Sequence, residues 1–82
     1  MIKKRRVNIG MLNTNYSSEM ATANQFIINH NNDIDFIKFL RNMEEADITH
    51  GDRWSQIYDY MEEHYPGATG SLITGLCFWC EA

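Results

Sequence analysis

Cys77 and Cys80 stand three residues apart in the run Cys77-Phe78-Trp79-Cys80, the spacing used by dithiol redox centres and by half of many zinc sites. A redox pair needs a helix N-terminus behind it to depress a thiol pKa, and here only Glu81 and Ala82 follow. Zinc would require two further ligands from His30, His50 and His64. None of these has a second histidine three to five residues away, as a structural site does. On a strand, residues three apart also face opposite ways. The favoured reading is two core cysteines with no metal and no cofactor, so the purified protein is expected to carry no stoichiometric zinc. Ser17, Ser18, Ser55 and Ser71 lie in no nucleophile elbow, and the chain has no P-loop or dinucleotide fingerprint. The acid pairs Glu44-Glu45 and Glu62-Glu63 fall on expected helices, where neighbours diverge by about 100° and make no tight carboxylate dyad. No catalytic residue is assigned, and the chain reads as a binding protein rather than an enzyme.

Thr49-His50-Gly51-Asp52 resembles, over three residues, the His-Gly-Asp catalytic loop of small-molecule phosphotransferases. No glycine-rich nucleotide loop and no metal-binding Asn or second Asp motif accompanies it, and 82 residues are too few for that fold. A turn glycine followed by an Asp helix cap accounts for the same residues. His50 with Asp47 and Asp52 on one loop could still hold a divalent ion, which keeps a small metal-dependent enzyme as a minor alternative.

These groups must be positioned by one small domain spanning residues 1–82, with residues 1–4 as a basic tail. A chain of this length buries only about 60–65% of the surface its unfolded form exposes, which favours a binding module over a cleft-bearing enzyme. The hydrophobic fraction of 44% nevertheless requires a packed core. No apolar run is long enough to span a bilayer and no signal-peptide pattern is present, so the expected compartment is the reducing cytoplasm, without membrane contact. The net charge of −4 is unevenly laid out: Lys3, Lys4, Arg5 and Arg6 hold four of the seven bases, leaving three against all eleven acids. Nine of those acids lie between Asp33 and Glu63. Such a body repels nucleic acid and suits a basic partner surface.

Val7, Ile9 and Met11 alternate with polar or small residues over residues 5–12, the period of a half-buried strand. A turn follows, with Ser17 or Ser18 as cap for a helix over residues 19–30. Asn32 or Asp33 caps a second helix to about Glu45, whose Phe36, Ile37, Phe39, Leu40 and Met43 share one arc. Asp52 is expected to cap a third helix with Trp54, Ile57, Tyr58, Met61 and Tyr65 as its core stripe, ended by Pro66-Gly67. Residues 71–80 are apolar throughout. Flanking glycines with β-branched and aromatic residues favour a strand there over a helix, which would carry Gly75 in its middle. The expected fold is α+β, three helices on a two-stranded ribbon of the N- and C-terminal segments, with a mainly α fold as the alternative. A two-stranded ribbon needs covering by the helices or by a second copy of the chain as a homodimer.

Small size, an acidic body, many aromatics and no catalytic motif resemble in type the small bacteriophage-encoded inhibitors of host machinery, anti-CRISPR and anti-restriction proteins among them. No motif of theirs is matched and no functional residue is carried over. The leading expectation is an inhibitor or adaptor that binds a host protein complex with a basic surface. The assigned contact residues are Gln56, Asp59, Tyr60 and Glu63 on the third helix, with Glu44, Glu45 and Asp47 at the end of the second and in the loop after it. A regulator binding nucleic acid through Lys3–Arg6 is the runner-up, although direct nucleic-acid binding runs against the charge of the body.

Overall fold

The computed structural model describes residues 17–82. Four helices follow one another, α1 over Ser17–Asn29, α2 over Ile34–Glu45, α3 over His50–His64 and α4 over Gly70–Glu81. The expected ribbon is therefore overturned, because its C-terminal strand is α4, and the described residues contain no strand. The mainly α alternative fits. The other half of that ribbon, residues 5–12, lies outside the described residues, as do Lys3–Arg6.

Helix α4 is apolar on several sides because several helices cover it. Leu72, Ile73, Gly75, Leu76, Cys77 and Cys80 are all buried, and α1, α2 and α3 each pack against it. A helix covered this way loses its amphipathic stripe and looks, in sequence, like a buried strand. Its start is set by Thr69, whose Oγ1 accepts the Leu72 N–H at 3.2 Å. Gly75 sits where α1 crosses. A Cβ there would overlap the Glu19 backbone carbonyl and stand 3.1 Å from Ala23 Cβ. The glycine that argued against a helix is what lets two helices meet.

The hairpin of α2 and α3 follows the expected pattern more closely. Asp33 caps α2, its Oδ1 accepting the Phe36 N–H at 3.2 Å, and Phe36, Leu40 and Met43 are buried. Thr49, rather than Asp52, caps α3: its Oγ1 accepts the Asp52 N–H at 3.1 Å. Asp52 instead lies in the first turn, where a carboxylate complements the helix dipole. Helix α3 ends at His64, and Gly67 takes the left-handed exit at φ 98°. Ser17 and Ser18 lie inside α1 rather than ahead of it.

Ile57 and Met61 form the buried stripe of α3, with Trp54 and Tyr65 packed at its edge. Tyr58 is not core. It is 40% exposed, one residue and about 100° round from Ile57, and its ring stacks on Trp54 at 5.5 Å. Arg53, unforeseen in the sequence, is buried. Its Nε donates to the Met43 carbonyl at 2.9 Å and its Nη2 to the Ala46 carbonyl at 2.7 Å. The guanidinium thus satisfies acceptors that the end of α2 leaves open, and its charge suits that end of the dipole.

Candidate functional site

The contact residues expected from sequence fall toward the two ends of the α2–α3 hairpin, with Gln56 between them near the middle of α3. At one end Tyr60 is half-buried between Phe39, stacked at 4.1 Å and 12°, and His64, stacked at 4.2 Å. The hydroxyl of Tyr60 is pushed above its usual pKa by burial, then by the carboxylates of Asp33, Asp35 and Glu63. Gln56, Asp59 and Glu63 are exposed on the same helix. Glu44, Glu45 and Asp47 lie at the opposite end, where the charge of Glu44 acts on Cys80. Along the helix His50–His64, Asp59 to Glu63 stand roughly 14–20 Å from the end beside Asp47, and Gln56 lies near the middle. The two groups are not one patch. Sequence reasoning missed Phe39, Asp33 and Asp35 as members of the first group. The helical arc gives Phe39 only a core role, and nothing local links it to Tyr60, 21 positions on.

A second constellation brings together three residues that the sequence kept apart. His50, the first residue of α3, directs Nδ1 at the Glu81 carboxylate, 3.0 Å from Oε1 and 2.9 Å from Oε2. Behind it lies Cys77, whose Sγ is 3.5 Å from His50 Nδ1 and 3.6 Å from Glu81 Oε2. Arg53 holds the same carboxylate, its Nη1 donating to Oε2 at 2.9 Å. The ring of Phe78 lies 4.9 Å from that of His50. Burial pushes the Cys77 thiol up to about 12, and the Glu81 carboxylate adds to the rise while Arg53 opposes it. Burial likewise raises Cys80, whose Sγ lies 3.8 Å from the Leu40 carbonyl. Both thiols are protonated near neutrality, which makes them poor nucleophiles and poor redox centres.

Asp47 and Asp52, which the minor alternative joins to His50 around an ion, are not gathered with it. Among the described residues, the ligand atoms gathered with His50 are those of Cys77 and Glu81. Read as a helix, the C-terminal segment would have put Cys77 and Glu81 four residues apart on one face. The strand reading hid that pairing, and no local spacing reports a histidine 27 residues before the cysteine. His30 and His64 are engaged elsewhere: His30 Nδ1 lies 2.8 Å from the Phe26 carbonyl, with its ring on Phe26 at 3.9 Å, and His64 covers Tyr60.

A shallow hollow of about 400 Å³ opens between α1 and the α3–α4 turn, with Phe26, Tyr65 and Leu72 among its walls. Its walls carry no charged side chain. Comparison of the chain with protein-family models, with curated proteins and with solved structures finds no match in any of the three. No described helix is long and apolar enough to cross a membrane.

Proposed function

We propose that this chain is a small protein-binding module, an inhibitor or adaptor of the cytoplasm, that engages a basic partner surface through the end of its α2–α3 hairpin that carries Tyr60. The observation that carries the reading is the packing of Tyr60. Its ring is clamped between Phe39 and His64, and the charges that act on its hydroxyl are those of Asp33, Asp35 and Glu63. A ring already held in place loses little entropy when a partner covers it, and surrounding carboxylates steer a cationic surface toward it. All eleven acids lie in residues 17–82 against three bases, so the field of the whole body acts in the same direction. Nucleic-acid-handling complexes present surfaces of the required sign.

Half-burial makes Tyr60→Ala a packing change as well as a contact change, so the test uses the exposed neighbours. Once affinity purification from the native host has supplied a partner, reversing Asp59 and Glu63 to lysine should lower the association rate roughly tenfold and flatten its salt dependence. His64→Ala should speed dissociation by uncovering one side of the stack. Unchanged rates in the triple variant, with its circular dichroism intact, would sink the reading. Retention of nucleic acid that vanishes with added salt would point to the basic N-terminal residues instead.

A further inference from the structure

We propose that His50, Cys77 and Glu81 form a binding site for a single zinc-like divalent transition-metal ion, held by three protein ligands with a fourth position open to solvent. The site reverses the sequence-based expectation of a zinc-free protein, lies away from the Tyr60 end of the hairpin and does not depend on the function proposed for that end.

The ligand types are those such an ion selects, one imidazole nitrogen, one sulfur and one carboxylate oxygen. Their spacing fits as well. Zinc bonds of about 2.3 Å to sulfur and about 2.0–2.1 Å to nitrogen or oxygen, at tetrahedral angles, set edges of about 3.6 Å from sulfur to either partner and about 3.4 Å from nitrogen to oxygen. The observed sulfur edges are 3.5 Å to Nδ1 and 3.6 Å to Oε2. The nitrogen–oxygen edge is 2.9 Å, the length of the hydrogen bond that occupies it. Admitting an ion requires that edge to open by about 0.5 Å, a small rotation for the His50 side chain, which is 49% exposed.

The surroundings supply what such a site needs outside its ligands. Arg53 is buried and anchored to the Met43 and Ala46 carbonyls, so it fixes the Glu81 carboxylate from behind as outer partners of metal sites do. A carboxylate has about four lone-pair sites, so the arginine bond and a metal bond are compatible. Cys77 is buried on the protein side and His50 is open on the solvent side, which directs the fourth position outward. Binding exchanges protons for metal. The thiol releases its proton to solvent as the sulfur–metal bond forms, and Nδ1 gives up the hydrogen bond to Glu81 while Nε2 carries the ring proton. The ion would tie the first turn of α3 to the last turn of α4.

The test adds cobalt(II), then zinc, to the full chain freed of metal by chelation. The expected result is a thiolate-to-cobalt charge-transfer band that saturates at one equivalent and is displaced by zinc, with a rise in Tm that chelator reverses. Cys77→Ser should abolish the band. His50→Ala, at an exposed position, should weaken binding at least tenfold with the fold intact, since even outer-partner losses at metal sites cost 10–100-fold. Cys80→Ser should keep the band, because Cys80 faces the Leu40 carbonyl. Absence of a band and of any chelator-sensitive Tm shift in the unaltered chain would overturn the proposal. So would undiminished binding in His50→Ala, which decides the matter even if Cys77→Ser fails to fold.

Discussion

Where α1 crosses α4, backbone meets backbone: Gly75 lies against the Glu19 carbonyl and Ala23, with nothing larger between them. Where α2 runs beside α3, side chains fill the space, with Phe36 touching the rings of Phe26, Tyr60 and Tyr65 and polar clamps closing both ends. One clamp is Arg53 on the α2 carbonyls, and the other is the Tyr65 hydroxyl donating to Asp33. The first contact depends on a side chain being absent, and the second on large and polar side chains being present. Shape therefore specifies one pairing and chemistry the other. Removing a side chain should therefore damage the second pairing, and adding one should damage the first.

The largest effect is expected in the hairpin. Phe36→Ala removes a fully buried ring that joins α1, α2 and α3, and should cost about 3–5 kcal/mol in chemical denaturation. Tyr58→Ala, made in parallel, should change stability by less than about 1 kcal/mol, because its ring rests on Trp54 at the surface. Equal losses in the two variants would break the division of α3 into a buried and an exposed face.

Gly75→Ala probes the other pairing, and its sign decides. At an exposed helix position the change should add about 1 kcal/mol of stability through helix propensity. Here the new methyl group must displace the backbone of α1, and overpacking of that kind costs about 1–3 kcal/mol. Net destabilisation in a denaturant titration confirms the close crossing, whereas stabilisation would show that α1 does not lie on Gly75.

The same contrast explains what could be read from the sequence. Asp33, Pro66-Gly67 and the stripe of Phe36, Leu40 and Met43 announce themselves because capping, chain reversal and amphipathic spacing are local. The state of residues 70–81 was not legible, since covering a helix on several sides removes the periodicity that would identify it. Gly75 counted against a helix because its benefit lies in α1, more than fifty positions away. Tyr58 was assigned to the core because a period of 3.6 tolerates one extra residue at the edge of a stripe. Of the candidate contact residues, Tyr60 and its acidic neighbours on α3 are grouped by helical spacing alone. The clustering of His50, Cys77 and Glu81 could not be found from spacing, because it depends on α4 being a helix.

The last expected effect is on pH dependence and concerns the clamp between Asp33 and Tyr65. The Asp33 carboxyl is held below its ordinary pKa of 3.8, first by the Tyr65 hydroxyl and then by the Phe36 N–H that it caps. A carboxyl depressed in the folded state adds stability that is complete above its unfolded pKa and is lost as pH falls through the folded value. Unfolding free energy should therefore decline as pH drops below about 4, and Tyr65→Phe should shallow that decline because the largest of the interactions holding the carboxyl down is lost while the Phe36 and Asp35 N–H bonds and the His30 charge remain. The tyrosine itself is pushed up to about 12 by burial and by Asp33, so its contribution is complete below pH 10 and is lost toward pH 12. Tyr65→Phe should flatten that alkaline limb as well. At pH 7 the variant loses one partly exposed hydrogen bond and keeps the ring contacts with Phe26 and Phe36, so its destabilisation should be smaller than that of Phe36→Ala. Urea titrations of both proteins between pH 2.5 and 7 read the difference. Parallel acid limbs would show that the hydroxyl does not hold Asp33, and that the backbone N–H groups of Phe36 and Asp35 account for its lowered pKa.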